Sequence, residues 1–331
     1  MSLNSKVHQQ SQHSSIKAAT YTTKYIHIYI TSIHTIHLTK IMTFLTTITR
    51  FLTLSTGESI FYRESGAPNL PTILLLHGFP SSSHQYRNLI PLLSPKYHVL
   101  APDFPGFGFT TVSPSYTYTF DTIASTISTF LAELPSPVSK YSIYVFDYGA
   151  PVGFRLALKN PPAIQAVIAQ NGNAYAEGLQ DFWDPIRTLW ATNNSASARA
   201  ALLPFLQTGT KGQYLNGTPD AETIDPASYT LDQALLERDG NFDIQLDLLY
   251  DYRTNLELYP KVQAWFRESQ VPLVTAWGKN DYIFPPVGAE AYKKDLKEAE
   301  VNLLDAGHFA VESHTGAVAG IVLDFLGRKG I

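Results

Sequence analysis

Short runs of apolar residues alternate with helical patterns through most of this chain, and this alternation constrains its fold more than any other feature. The continuous apolar runs of strand length lie at 72–76, 97–101, 141–146 and 163–169. Such short runs, without alternating polar residues, are typical of strands buried on both faces. Apolar residues at helical spacing lie at 119–134 and 150–159. The alternation predicts a mostly parallel central sheet flanked by helices, with right-handed crossovers.

The alternation lapses between residues 174 and 262, where the chain is mainly helical in character. The breaks within this segment are Gly178, Pro204, Gly209–Gly217 and Pro219. We therefore expect a single α/β domain in two parts, 42–173 and 263–331, with a helical cap at 174–262 inserted late in the sheet.

Both ends of the predicted sheet have their own signals. Residues 48–63 contain Thr56-Gly57-Glu58 between two strand-like segments, which predicts a β-hairpin. Strand character returns at 272–277 and at 300–304, and a last helix is predicted at 315–327.

The first 41 residues differ in composition from the rest. No acidic residue precedes Glu58, and Arg50 is the first arginine. A basic leader rich in Ser and Thr is similar to a mitochondrial transit peptide, although transit peptides are usually rich in arginine. The leader is also too polar to span a bilayer. We expect Met42 to be the natural start and 1–41 to be disordered or absent from the mature protein. The expected location is then the cytoplasm, or the mitochondrion if the leader is a true targeting segment.

Composition narrows the functional classes. The 331 residues carry 24 Lys and Arg against 28 Asp and Glu, a net charge of −4, which disfavours nucleic acid as a partner. The absence of cysteine excludes disulfides and thiolate chemistry. We expect no metal and no cofactor. The expected partners are water and a small organic substrate of apolar to amphipathic character, and the pattern does not specify an oligomeric state.

The stretch 144–153 predicts a nucleophile elbow. A strand leads directly into a sharp turn at Asp147, and Gly149 and Ala150 allow close packing at the start of the next helix. Asp147 stands where the serine of a G-x-S-x-G motif is found, and the chain has no such serine motif. Val145 replaces the commoner glycine two positions earlier. The alternative reading is an aspartate that only caps the following helix.

An aspartate nucleophile restricts the substrate. A carboxylate attacks an alkyl carbon to form an ester, whereas attack on an acyl carbon would give an anhydride. Asp147 therefore predicts a substrate with an electrophilic sp³ carbon, such as an epoxide or an alkyl halide.

Three further segments supply partners for this nucleophile. The H-G-F-P loop at 77–80 follows a strand, and it predicts an oxyanion hole formed by the backbone N–H groups of Phe79 and Tyr148. Asp281 and His308 follow the two last predicted strands, so the chain order is nucleophile, acid, histidine. His308 can deprotonate water, and Asp281 can orient its ring.

Together these segments resemble the epoxide hydrolase and haloalkane dehalogenase branch of the α/β-hydrolase superfamily. The matching pieces are LLLHGFP at 74–80, APDFPGFG at 101–108, YVFDYGAPVGFRLA at 144–157, WGKNDYIFP at 277–285 and LLDAGHFAVE at 303–312. The resemblance covers roughly 55–328. It implies the α/β-hydrolase fold with a helical cap, and a two-step reaction in which the aspartate is alkylated and the ester is then hydrolysed.

The resemblance also bears on the leaving group. Haloalkane dehalogenases commonly hold the halide with a Trp after the nucleophile and a polar residue in the H-G-x-P loop, positions that are Tyr148 and Phe79 here. Epoxide hydrolases use cap tyrosines to donate a proton to the opening ring. Tyr252 is the first candidate for that role, Tyr250 and Tyr175 are weaker ones, and Trp183 is expected to line the pocket.

Three functions remain open from the sequence. The first is a cofactor-free hydrolase that opens epoxides to diols, and the second is a dehalogenase that hydrolyses carbon–halogen bonds. A Tyr252 side chain over Asp147 favours the epoxide, whereas a Trp183 indole N–H directed at the nucleophile favours the halide. The third is a non-catalytic protein of the same fold that binds a small ligand.

Overall fold

A computed structural model describes residues 46–331 of the chain. The predicted leader at 1–41 and the expected start at Met42 lie outside the described residues. The strands in the described part are β1 (Ile48–Thr53), β2 (Ser59–Ser65), β3 (Thr72–Leu76), β4 (His98–Pro102), β5 (Tyr141–Phe146), β6 (Ile164–Gln170), β7 (Leu273–Gly278) and β8 (Glu300–Leu304). They form one sheet in the order β1-β2-β4-β3-β5-β6-β7-β8.

The sheet is parallel except at one side. β1 pairs antiparallel with β2, which confirms the predicted hairpin, and β2 pairs antiparallel with β4. The pairs from β4 through β8 are all parallel. The carboxyl ends of these strands therefore meet at one edge, where open α/β sheets bind ligands. The loops that carry the predicted site residues follow β3, β5, β7 and β8 at this edge.

The central strands are buried at every position of β3, β4 and β5, as their apolar runs predict. Leu74 and Ile143 belong to one hydrophobic cluster, whereas their neighbours Ile73 and Tyr144 belong to another. Successive residues of a strand point to opposite faces. The sheet therefore separates two cores, each covered by helices.

The helices in the described part are α1 (Ile90–Leu93), α2 (Phe120–Glu133), α3 (Gly149–Lys159), α4 (Asp184–Ala191), α5 (Ala196–Thr208), α6 (Thr210–Leu215), α7 (Pro226–Leu236), α8 (Asn241–Asp251), α9 (Arg253–Ser269), α10 (Val287–Ala291), α11 (Ala310–Ser313) and α12 (Thr315–Lys329). No helix among residues 46–331 combines the length and the apolar character that crossing a bilayer requires.

The insertion between β6 and β7 is helical, but its internal breaks differ from the prediction. Pro204 lies inside α5, and the stretch Gly209–Gly217 contains α6 instead of a continuous break. The expected end of the cap at residue 262 lies within α9, which continues to Ser269. The last turns of α9 pack on α3, since the Phe266 and Phe154 rings are 5.6 Å apart.

Candidate active site

Asp147 forms the sharp turn between β5 and α3. Its φ of 48° lies in the left-handed region, which is uncommon for a residue with a side chain. Gly149 follows at a point where a Cβ would lie 2.1 Å from the Leu76 carbonyl oxygen. Only glycine therefore lets α3 start this close to β3, and the turn presents a buried carboxylate at the carboxyl edge of the sheet.

Two backbone amides bind the Asp147 carboxylate. The N–H of Phe79 donates to Oδ1 at 2.6 Å, and the N–H of Tyr148 also donates to the carboxylate. The H-G-F-P loop approaches closely because position 78 is a glycine; a Cβ there would lie 2.3 Å from the Cβ of Asp147. The carboxylate thus has two backbone donors, and the Phe79 N–H fixes its Oδ1.

Asp281 lies in the loop after β7 and is buried in a set of fixed partners. Its Oδ2 accepts a hydrogen bond from Asn171 Nδ2 at 2.7 Å and lies 2.7 Å from His308 Nδ1. Its Oδ1 accepts from the backbone N–H of Ile283 at 2.8 Å. Sequence reasoning missed Asn171, although an Asn-Gly pair directly after β6 was a visible signal of a special turn.

His308 is fully buried in the loop after β8. Its ring lies between aromatic side chains, with centroid distances of 4.6 Å to Phe146, 5.3 Å to Phe309 and 6.0 Å to Phe284. Nδ1 faces Asp281, whereas Nε2 has no hydrogen-bond partner among residues 46–331. An Nδ1–H donated to the carboxylate leaves Nε2 as the basic atom.

The charges of these groups are coupled. Burial raises the pKa of the Asp147 carboxyl to about 6, although the charge of His308 and the two amide hydrogen bonds act in the opposite direction. Burial lowers the pKa of His308, but the charge and hydrogen bond of Asp281, together with the charge of Asp147, outweigh it, so the pKa is raised. Desolvation and neighbouring charge are the two general causes of such shifts.

The Asp147 carboxylate lines a small cavity beneath the helical insertion. The lining residues are Phe79, Asp147, Tyr148, Phe182, Trp183, Ile186, Phe205, Gln213, Leu249 and Ile283. About 20 Å³ of this cavity is open to the centre of a water molecule, which corresponds to roughly one water molecule. The site is therefore small and mostly apolar.

The two first cap candidates occupy different positions. Trp183 lines the cavity as expected, but its indole N–H donates to the Ile283 carbonyl at 3.0 Å and not to Asp147. Tyr252 is fully buried one layer behind, with its ring 4.4 Å from that of Trp183. Its hydroxyl lies 3.4 Å from the Tyr259 hydroxyl, and Tyr252 is not among the residues that line the cavity. The Trp183 indole N–H is thus directed away from the nucleophile, and the Tyr252 hydroxyl is paired with Tyr259 and not with Asp147.

The weaker cap candidates lie elsewhere. The Tyr175 hydroxyl donates to Asp295 at 2.8 Å, and the residue faces another groove with Arg267. The Tyr250 ring packs against the Arg253 guanidinium at 3.7 Å. Their positions do not support a role for Tyr175 or Tyr250 as proton donors at Asp147, because both side chains are engaged away from the cavity.

Two polar groups at the cavity were not foreseen. The Tyr148 hydroxyl and Gln213 Nε2 are buried, and neither has a hydrogen-bond partner in the described part of the chain. Tyr148 was predicted only for its backbone, and no local pattern marked Gln213. No group of three or more His, Asp or Glu side chains in residues 46–331 is arranged to hold a metal ion.

Comparison with known proteins agrees with this architecture. Residues 71–315 match the family model described as alpha/beta hydrolase fold. An uncharacterized hydrolase of Saccharomyces cerevisiae is 48% identical over 277 residues, which cover 82% of this chain and 95% of that protein. A haloalkane dehalogenase of Bradyrhizobium diazoefficiens is 31% identical over 159 residues, 47% of this chain and 48% of that protein.

A solved epoxide hydrolase, CorEH, has a TM-score of 0.68 at 17% identity, covering 86% of this chain and 99% of that chain. A likeness at this identity shows the fold alone. The predicted α/β-hydrolase fold is confirmed, and the resemblance to the epoxide hydrolase and dehalogenase branch is supported by the relative named a haloalkane dehalogenase. The family model and these two relatives are of hydrolases, which sets aside the non-catalytic alternative. The chain is a hydrolase and belongs to the α/β-hydrolase family.

Proposed function

We propose that this hydrolase acts through a covalent alkyl ester of Asp147, and that epoxides are its substrates. The observation that carries the proposal is the position of the two amide donors. The N–H of Tyr148 binds the Asp147 carboxylate, and the N–H of Phe79 binds its Oδ1. In an ester of Asp147 this oxygen is the carbonyl oxygen, and it becomes the oxyanion when water attacks. The donors are therefore placed to stabilise hydrolysis of an aspartyl ester.

In the first step, the free Asp147 oxygen attacks a ring carbon of the epoxide. A carbon–oxygen bond forms, the ring carbon–oxygen bond breaks, and its electron pair remains on the ring oxygen, which needs a proton. The Tyr148 hydroxyl supplies that proton in our proposal, because it is buried without a partner in the described residues and Tyr148 lines the cavity. Burial raises the pKa of the Tyr148 hydroxyl well above its usual value, so the hydroxyl remains protonated and available as a donor.

In the second step, Nε2 of His308 takes a proton from water, and the hydroxide adds to Cγ of Asp147. The negative charge collects on the oxygen held by Phe79 and Tyr148. Collapse breaks the ester bond and releases the diol oxygen, which takes the proton back from His308. Asp281 holds the ring and stabilises its charged form, and its own position is fixed by Asn171 and Ile283. The proton that the added hydroxide leaves on the Asp147 carboxyl returns to the Tyr148 phenolate, so the sum is one water added to one epoxide.

Dehalogenation is the second candidate, favoured by the relative named a haloalkane dehalogenase. The same ester would form with release of halide. The tryptophans of the cap disfavour dehalogenation. The indole N–H of Trp183 donates to the Ile283 carbonyl, and that of Trp190 donates to the Leu249 carbonyl, so neither is free to bind a halide. A halide needs a cradle of free N–H donors.

The cavity limits the substrate class. Its lining is mainly aromatic and aliphatic, and its free space holds roughly one water molecule. Phe182 and Phe205 are the half-buried members of the lining, with rings 5.6 Å apart. We propose that small apolar substrates enter between these two rings, which must rotate to admit them.

The experiment that tests the function traps the ester. The His308→Gln variant is incubated with a panel of small epoxides and haloalkanes, and its intact mass is recorded. We expect addition of a whole epoxide, mapped to Asp147, because removal of the base blocks the second step. Addition of an alkyl group with halide release would move the assignment to a dehalogenase.

Two controls sharpen the trapping experiment. His314→Gln changes a half-buried histidine that lies outside the triad, and it should turn over without accumulating an adduct. His308→Gln combined with Asp147→Asn should stay unmodified. An adduct on any other residue, or none with the whole panel, would contradict the proposed mechanism.

A further inference from the structure

Gln213 is the polar side chain that the insertion contributes to the cavity at Asp147. The other lining residues from the insertion are Phe182, Trp183, Ile186, Phe205 and Leu249. Among their side chains only that of Trp183 has a polar hydrogen, and it is bonded to the Ile283 carbonyl. Gln213 is therefore the lining side chain of the insertion whose N–H is free to bond to a molecule in this cavity.

The Gln213 side chain is buried, and its Nε2 has no partner among residues 46–331. The side chain is 1% exposed. Buried polar groups in native proteins are nearly always hydrogen-bonded, so an exception that lines a cavity indicates a ligand-binding role. An apolar side chain would suit this position better if it only filled space.

The helix that carries Gln213 is fixed against the loops of the triad. In α6 the next residue, Tyr214, stacks on Phe309 with centroids 3.8 Å apart and an angle of 8°. Its hydroxyl also lies 3.4 Å from Ser81, next to the H-G-F-P loop. Beyond the helix, Asn280 Nδ2 donates to the Gly217 carbonyl at 2.8 Å. Gln213 is thus held in position by contacts to the loops of Phe79, Asp281 and His308.

We propose that the Gln213 amide N–H binds the leaving atom of the substrate, which is the ring oxygen of an epoxide or the halide of an alkyl halide. This inference rests on the proposed function and extends it to a residue that binds the leaving group. As the carbon–oxygen bond breaks, the electron pair and the negative charge move to that oxygen. A fixed N–H donor binds the charged oxygen more strongly than the neutral one, so it accelerates the first step. Gln213 has no part in the second step, where the charge collects at Phe79 and Tyr148.

The test measures ester formation at Asp147 by intact mass in the His308→Gln background, with and without Gln213→Met. Methionine has a similar volume and no N–H donor. We expect ester formation to slow by roughly 10- to 100-fold, with unchanged or higher thermal stability. The matched control is Gln85→Met, another fully buried glutamine that does not line the cavity, and it should leave the rate within a factor of about two.

A leaving-group series separates binding of the leaving atom from a structural role. Across epoxides with increasingly electron-withdrawing substituents, the loss from Gln213→Met should shrink as the leaving oxygen becomes less basic. An equal loss throughout the series, or no loss, would overturn the role of Gln213. If His308→Gln alone forms no ester, the proposed function fails instead, so the two failures are distinguishable.

Discussion

Gly78 and Asp147 are so close that position 78 has no room for a side chain. A Cβ on Gly78 would lie 2.3 Å from Cβ and 2.5 Å from Oδ1 of Asp147. Gly78→Ala must therefore move the loop and draw the Phe79 N–H away from Oδ1. Loss of one oxyanion donor typically lowers kcat by roughly 10²- to 10³-fold. We expect a loss of that size in steady-state kinetics, with the fold retained by circular dichroism.

A second glycine provides the control for this substitution. A Cβ on Gly320, in the middle of α12, meets nothing within 4 Å. Gly320→Ala should leave kcat unchanged and raise the free energy of unfolding by about 0.5–1 kcal/mol, as expected for alanine in a helix. Full activity in Gly78→Ala would show that the amide at Phe79 does not support the reaction.

The pKa of Asp147 predicts the pH dependence of the first step. The nucleophile must be ionised, and burial raises its pKa to about 6. kcat/KM of the free enzyme should therefore be constant above pH 7 and fall about tenfold per unit below pH 6. A stopped-flow or steady-state pH series measures this. A profile that stays flat down to pH 5 would be inconsistent with a buried aspartate nucleophile.

The same shift affects stability. A carboxyl whose pKa is higher in the folded state binds its proton more tightly there. Its proton therefore stabilises the folded state fully below the unfolded pKa, and this stabilisation is lost as the pH rises to about 6. Asp147→Asn removes this cost and should raise the free energy of unfolding at pH 8 by about 3 kcal/mol. The gain should vanish near pH 4. Urea unfolding of both proteins at the two pH values tests this, and an equal gain at both would refute the assignment.

The sheet was predictable because its signal is local. Continuous apolar runs gave 72–76 and 141–146, and strand character gave 300–304, with the bounds that the structure shows. β4, β6 and β7 begin and end one residue later than predicted. An apolar run does not mark the exact terminal residue of a buried strand. Asp147 was found for the same reason, because strand, turn and small residues follow one another directly in the chain.

The cap was not predictable in the same way, because its side chains find their partners through tertiary packing. Tyr175 binds Asp295, which is 120 residues away in the chain, and Trp183 binds Ile283 across 100 residues. Gln213 lies in a stretch whose glycines suggested a break, yet α6 forms there and packs on Phe309. Tyrosine content alone did not reveal which hydroxyls reach the cavity.

Asn171 predicts a defect in the second step. Its Nδ2 donates to Asp281 Oδ2, and its Oδ1 accepts from the Gly278 N–H at 2.9 Å. Asn171→Ala leaves a buried carboxylate with one partner fewer, so the free energy of unfolding should fall by about 1–3 kcal/mol. With Asp281 less fixed, His308 is held less well, and the Asp147 ester should accumulate during turnover, visible by intact mass.

The backbone of Asn171 calls for a matched control. Its φ is 45°, a conformation that asparagine tolerates better than alanine. Asn193 has a φ of 50° on the surface, so Asn193→Ala reports the cost of that conformation alone. Equal effects of the two substitutions on stability and on ester accumulation would show that Asn171 acts through backbone conformation and not through Asp281.

Tyr148 and Tyr252 can be separated by removing one hydroxyl at a time. Tyr148 lines the cavity with a hydroxyl that has no partner in the described residues, whereas the Tyr252 hydroxyl is paired with Tyr259. Tyr148→Phe should slow epoxide opening by roughly 10²-fold or more, the size expected for loss of a general acid. The phenylalanine keeps the backbone N–H and the ring packing, so ester hydrolysis should be unchanged. Tyr252→Phe should cost less than tenfold.

The leaving group decides how this comparison is interpreted. Halide departs without a proton, so Tyr148→Phe should leave the rate of ester formation from a haloalkane nearly unchanged while it slows the epoxide reaction. Single-turnover mass measurements with both substrate types give the two rates in the same protein. If Tyr252→Phe shows the larger loss with epoxides, the proton comes from the second layer of the cap, and Tyr252 must turn away from Tyr259 when substrate binds. If neither variant is slowed, the ring oxygen takes its proton from water, and the donors left at the cavity are the amides of Gln213, Phe79 and Tyr148.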